Sequence, residues 1–380
     1  MISAKLSYWE KESFFKDIDV AIIGSGIVGL NAAIHLKEKN PQLRILIIER
    51  GALPIGASTR NAGFACFGSL SELIEDLKNH SVEEVLALVE KRWKGLRHLR
   101  ETIGDKALGY QELGGYEVFR ETDQTLYESC IDQMPFFNTQ LASIIGRKDI
   151  YQKADERIDH FVFNGVKHLI WNQAEGQIHT GKMMKALLDL ATAKNIQIVN
   201  GLGITKIEDS ANGVFLQTEN GWDFKAQKVL IATNGFAKKL FPKLDVQAAR
   251  NQVLITHPIP GLQIKGCFHY DGGYFYFRNI DNRILLGGGR HLALENEATT
   301  EFGTTSEIQK ALVNLLQNVI CPQQEVLIDS WWSGILGVGV QKKPLVKHIS
   351  ERVVIAVRMG GMGVAIGSLI GREGADLIEL

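Results

Sequence analysis

The chain has 380 residues, 45% of them hydrophobic and 22% charged, with a formal net charge of −1. That length predicts two domains and an ordinary globular interior. Near-neutral charge gives no global field for nucleic acid or anionic lipid. Glycine is frequent (38 residues) and proline scarce (8), a balance suited to close backbone approaches rather than disordered linkers.

The first 17 residues, MISAKLSYWEKESFFKD, carry charges every few positions and no apolar core, so they do not read as a signal peptide. Val20 to Ile23 follows as a short buried strand. Gly24, Gly26 and Gly29 then form G-x-G-x-x-G, Leu30 to Lys39 reads as a helix, and Ile45 to Ile48 reads as a second buried strand ending at Glu49. This βαβ unit is the signature of an adenine-dinucleotide site. Gly24 permits the tight turn, Gly26 lets a pyrophosphate approach the backbone, and Gly29 packs helix on strand. The helix N-terminus around Ile27 offers free N–H groups to phosphate. Glu49 and the adjoining Arg50 lie where a ribose is held. The apolar run from Val20 to Leu36 contains Asn31 and His35 and falls short of the roughly 20 residues a membrane span needs.

The next loop, Gly56 to Phe64, is small and polar. Ser58, Thr59, Arg60 and Asn61 could face phosphate or ribityl oxygens, and Ala62-Gly63 allows something flat to approach. Ser81-x-x-Glu84 is a capping box opening a helix with Val85, Val89, Trp93, Leu96 and Ile103 on one stripe, read as core. Gly114 to Phe119 begins a strand region. Short strands with Asn/Gly turns follow in IQIVNG, GVFLQT and KVLIATNG. Ala232 and Thr233 end one of these where a ligand could lie against the sheet edge, with Ile204 as an apolar contact for adenine. From Arg250 to about Gly289, aromatic strands dominate and read as an antiparallel sheet. Near the C-terminus a second strand, glycine turn and helix recur, with Gly360, Gly361, Met362 and Gly363 as the turn. The cysteines (Cys66, Cys130, Cys267, Cys321) are scattered with no CxxC pair, which predicts reduced thiols, an intracellular (cytoplasmic) setting and no metal site.

In this order the segments resemble the D-amino acid oxidase superfamily of FAD-dependent amine and amino-acid oxidoreductases. GASTRNAG is similar to the GAS-x-RNGG loop of its γ-glutamylputrescine oxidase branch. EGQIHTGKMMKALLDLA, NGLGITKIED with KVLIATNGF, GYFYFRNIDNRILLGGGR, WWSGILGVGVQKKPLV and RVVIAVRMGGMGVAIGSLIG resemble later family segments. The resemblance implies an α/β chain, α+β overall, with a Rossmann-like FAD-binding domain and a substrate domain on an antiparallel sheet. The expected division is 1–105, 150–245 and 325–380 for FAD, and 106–149 and 246–324 for substrate. The resemblance also implies oxidation of a C–N bond by hydride transfer to flavin, followed by imine hydrolysis.

Arg278 is the first candidate carboxylate anchor, with Tyr276, Tyr274 and His269 beside it; Tyr274, Tyr276 and Arg278 share one face at period two. Arg290 and Arg358 are further candidates. Departures from the sarcosine oxidase branch are informative. Gly334 stands where that branch links FAD through cysteine, so the FAD is expected to be non-covalent. Leu285 and Ala365 align with its two lysines, and Gln341 stands where the family frequently has an Asp before its late proline. Sarcosine is therefore disfavoured as substrate. The electron acceptor is left open between O2 and a quinone or carrier protein. A tRNA-modifying flavoenzyme and a flavoprotein without turnover are the competing classes. No clustered basic patch supports nucleic-acid binding. Oligomeric state is not legible.

Overall fold

The computed structural model describes residues 5–379, so the opening Met1–Ala4 of the leader reading lies outside them. Two large sheets organise the chain. The first has strand order 345–348, 353–357, 223–231, 18–23, 45–49, 197–200, with 213–218 and 204–210 continuing from 223–231 as an antiparallel meander. Its centre is parallel: Ile18–Ile23 lies between Ile45–Glu49 and Asp223–Ile231. The strand Ile45–Glu49 is buried at every position, as a parallel strand covered on both faces must be.

Helices Ile27–Lys39 and Gly363–Asp376 pack together against this sheet. A Cβ at Gly371 would sit 2.5 Å from the Val28 carbonyl, so glycine sets how closely the two helices approach. The capping box at Ser81 opens the helix Val82–Ile103, whose Val85, Val89, Trp93 and Leu96 are buried while Ile103 packs at the margin. A second capping box, at Ser69 and Glu72, opens Leu70–Leu77.

The second sheet has strand order 328–338, 247–256, 283–288, 275–280, 267–270, 115–120, 166–172, 151–153. It is antiparallel except where Cys267–Tyr270 runs parallel to Gly115–Arg120. Two segments that the sequence division gives to the cofactor unit supply strands here, 151–172 and 328–338. The reason is pairing: Tyr151–Lys153 bonds to Val166–Asn172, which bonds to Gly115–Arg120, whereas Ile328–Val338 pairs along Gln247–Thr256. Local sequence patterns do not encode such long-range partners. One face of this sheet packs Phe268 on Phe277, centroids 4.7 Å apart, into an apolar core with Leu286 and Ile308. No helix among the described residues is long and apolar enough to cross a membrane.

Candidate flavin site

An elongated cavity enclosing about 1340 Å³ of empty space, partly continuous with solvent, runs from the glycine turn to Ile335 and Leu336 on the second sheet. Gly24 has φ +107°, a conformation side chains rarely adopt. A Cβ on Gly29 would collide with the Gly24 carbonyl, so the third glycine of the motif is fixed by helix-on-turn packing. The helix begins at Ile27, three residues earlier than the sequence boundary, because Gly26 already has the extended cap conformation. Ile27 N–H donates to Ser58 Oγ at 2.9 Å, joining the second loop to the helix N-terminus.

Glu49 is buried and tied to the turn. Its Oε2 accepts from Ser25 N at 3.1 Å and Ser25 Oγ at 2.8 Å, and Oε1 accepts from Gly51 N at 3.0 Å. One carboxylate therefore shapes the phosphate turn and still lines the cavity. Arg50 lies over the Phe236 ring at 3.6 Å, and burial lowers its pKa. The Thr233 hydroxyl lines the cavity, is buried and has no hydrogen-bond partner. An orphaned hydroxyl costs about 1–3 kcal/mol unless something pairs with it. The donor set and the glycine cradle thus fit a dinucleotide such as FAD.

The expected cofactor residues divide. Gly24, Gly26, Ile27, Glu49, Arg50 and Ser58 line the cavity, as do Asn61, Ile204, Ala232, Thr233, Gly361 and Gly363. The other expected residues stand around it. Gly29 supports the turn from behind. Thr59 Oγ1 bonds back to the Pro54 and Gly56 carbonyls. Arg60 Nη1 donates to Ser333 O at 3.0 Å and its guanidinium lies 4.5 Å from the Phe302 ring centroid. Gly334 faces Arg60, with a Cβ there 3.4 Å from Arg60 Cβ. Gly360 and Met362 flank the second turn, where the Met362 carbonyl accepts from Ala365 and Ile366 N–H. Ala62 packs with Val253 and Leu285. Sequence reasoning missed Phe236, Lys239 and Glu219, which line the cavity near Arg50. Phe236 stands in the quoted stretch KVLIATNGF, but only the fold lays it against Arg50.

The substrate candidates lie on the second sheet's other face, opposite the phenylalanine core. Register sets Trp332, Val253, Gly287, Tyr276, His269 and Glu117 in one row across six strands. A neighbouring row holds Leu285, Arg278, Cys267 and Gly115. Tyr276 packs edge-on to Phe64, and burial pushes its hydroxyl up to about 12. Tyr274 precedes the strand, is 48% exposed and lies beside His291, so it does not join the row. Arg278 is buried, and its Nη1 donates to Gly63 O at 2.9 Å and Ile178 O at 2.8 Å. It clamps the Asn61–Gly63 loop to the segment after Gly176, and burial lowers its pKa. Its neighbour Asp281 is not its hydrogen-bond partner. Arg358 is equally committed, to Asp245 and the Lys343 carbonyl.

His269 is buried 3.6 Å from Glu175 Oε2. Burial opposes its charge, but Glu175 and Glu72 outweigh burial and hold its pKa at about 9. Glu117, which accepts from Ser71 N–H and its hydroxyl, is raised to about 7 by burial. All four cysteines are buried, free thiols.

A family profile described as FAD dependent oxidoreductase (DAO) matches residues 19–377. The "Probable oxidoreductase OrdL" of Rhizobium meliloti (strain 1021) is 23% identical over 373 residues, covering 94% of this chain and 82% of that protein. The "Gamma-glutamylputrescine oxidoreductase" of Escherichia coli (strain K12) is 23% identical over 378 residues, covering 95% and 83%. Among solved structures, glycine oxidase from Geobacillus kaustophilus superposes with a TM-score of 0.75 at 21% identity, covering 95% of each chain. At that identity the superposition speaks for the fold.

Proposed function

The chain belongs to the family of FAD dependent oxidoreductases, and from that premise we propose that it oxidises a C–N bond of an amine or amino acid. The supporting observation is the cavity whose lining runs from the glycine turn to Ile335 and Leu336 of the second sheet. FAD, when bound, supplies the two-electron acceptor. Glu49, Ser58 and Thr233 hold its polar half at one end. On the second sheet, the aromatic side chains Tyr276, Trp332 and Phe64 pack around Ala62, Val253 and Leu285. This group forms an apolar wall that orients a substrate carbon and excludes water. Arg278 positions Gly63, because its Nη1 is bonded to the Gly63 and Ile178 carbonyls. The names of the relatives support the substrate class: one acts on γ-glutamylputrescine and a structural neighbour on glycine. We further propose that the two functional units follow the two sheets, with 151–172 and 328–338 in the substrate unit, and that the FAD is non-covalent.

The test is anaerobic mixing of the purified flavoprotein with a panel of amines and amino acids, followed by the flavin absorbance. Bleaching by members of the panel, restored by O2 or by a quinone, is expected, and the reoxidant identifies the acceptor. An unbleached flavin across primary and secondary amines and both amino-acid enantiomers would defeat the reading. Acid precipitation is expected to leave the flavin in the supernatant, because Gly334 offers no thiol. A yellow pellet would contradict the non-covalent assignment.

A further inference from the structure

Beneath the aromatic wall, three side chains from distant parts of the chain meet. Cys66 follows the two-residue strand Phe64–Ala65, Glu175 precedes its partner strand Gly176–Gln177, and His269 belongs to the second sheet. Cys66 Sγ, a Glu175 oxygen and a His269 ring nitrogen all lie within 4.8 Å of one another. Cys66 and Glu175 are each 1% exposed and His269 is 8% exposed. Glu175 is oriented by its other oxygen, since Oε1 accepts from Phe67 N at 3.1 Å and Gly68 N at 3.3 Å. Oε2 is thereby turned toward His269.

The His269 ring supplies the independent observation. Its Nε2 is buried and has no hydrogen-bond partner. A buried imidazolium–carboxylate pair closes to about 2.7–2.9 Å; here the separation is 3.6 Å. That distance is near the roughly 3.3–3.5 Å edge between two ligands bound at about 2.0–2.2 Å in a tetrahedral zinc site. One soft sulfur with one imidazole and one carboxylate is a donor set for a borderline cation rather than for calcium or magnesium.

We propose that Cys66, Glu175 and His269 form a mononuclear site for a borderline divalent cation of the zinc class. Binding expels the thiol proton of Cys66 and the imidazolium proton of His269, so cation uptake releases protons to solvent. Three protein donors leave one position of a tetrahedral ion for a further ligand. The ion would staple the second sheet to the segment after Phe64. Phe64 already packs edge-on to His269, with centroids 5.3 Å apart, so the staple would fix the floor of the aromatic wall.

The experiment uses the full-length flavoprotein, purified without chelators or metal-affinity resin, with metal measured by plasma mass spectrometry. About one zinc or iron per chain is expected, retained on dialysis against EDTA and released on unfolding. Metal-depleted protein refolded with Co2+ is expected to show tetrahedral d–d bands and a thiolate-to-cobalt charge-transfer band. Cys66→Ser should abolish the charge-transfer band, and His269→Gln should bring metal content to background, both with FAD content maintained. If either variant fails to fold, the wild-type cobalt spectrum alone decides. The proposal is overturned if the wild type carries no metal and neither zinc nor cobalt raises its melting temperature. A cobalt spectrum without thiolate character would also overturn it, as would metal content unchanged in both variants.

Discussion

The glycine turn at Gly24–Gly29, which opens on the cofactor cavity, and the row from Trp332 to Glu117 across the second sheet are built in opposite ways. The turn is made mostly within one stretch of contiguous chain, Asp19 to Ser58, where Glu49 accepts from Ser25 and Gly51 and Ser58 accepts from Ile27. The row takes one residue from each of six strands, and only hydrogen-bond register brings those residues together. A local motif tolerates no substitution at its pivots but announces itself. A register-built face is silent in the sequence, and its roles pass between neighbouring residues. Arg278 illustrates the second case: it occupies the expected strand and face, but its guanidinium serves a loop carbonyl 215 residues away.

Five substitutions test this contrast. The largest effect is expected at Gly29, where Gly29→Ala drives a methyl into the Gly24 carbonyl. A loss of at least about 3 kcal/mol is expected, since backbone has nowhere to yield. The measurement is thermal melting together with FAD content, and a normal melting curve with full FAD would break the close-packing account.

Arg278→Met comes next. It leaves the Gly63 and Ile178 carbonyls buried without their donor, at a cost of about 2–4 kcal/mol. Melting temperature should fall by several degrees. If stability is intact and only the substrate concentration for half-maximal flavin reduction rises ten-fold or more, Arg278 is a substrate anchor after all.

Glu49→Gln keeps the shape but sets an amide donor against Ser25 N–H or Gly51 N–H. FAD affinity should weaken by about 1–3 kcal/mol, and melting should become more dependent on added FAD. Unchanged affinity by titration of the apoprotein would mean that the carboxylate serves the turn alone.

The smallest effects come from an adjacent pair. Ser58→Ala removes the acceptor of the Ile27 N–H inside the cavity and should weaken FAD binding by about 1 kcal/mol. Thr59→Val removes bonds that stay within its own loop, and FAD affinity should hold within about 0.5 kcal/mol. Equal losses at both positions would show that the loop acts as one unit rather than through Ser58.

Much of the cofactor end was legible because its constraints are local. Glycine spacing, a following helix and an acid at the end of the second strand each follow from chain geometry over a few residues. Composition identifies Gly56 to Phe64 as a polar loop but not the direction of each side chain, and in the structure Thr59 bonds to Pro54 O and Arg60 to Ser333 O. Tyr274 was grouped with Tyr276 and Arg278 by period two, but the strand starts at Phe275 and Tyr274 turns outward to His291. The Cys66–Glu175–His269 cluster has no ligand spacing in the sequence at all, and the expectation of no metal site rested on that spacing.

The sequence by itself determined the first βαβ unit, the capping box at Ser81, the cofactor class and the alternation that separates the two faces of each aromatic strand. Those follow from steric limits on φ, from side-chain period and from unpaired N–H groups at a helix start, which act over one or two turns of chain. Tertiary structure alone decided which strands share a sheet, that 151–172 and 328–338 join the second one, and that Arg278 binds carbonyls. It alone set His269 beside Glu175 and Cys66. Such pairings depend on strand register and on the closure of long loops, whose free energy is settled by the whole packed chain rather than by any segment of it.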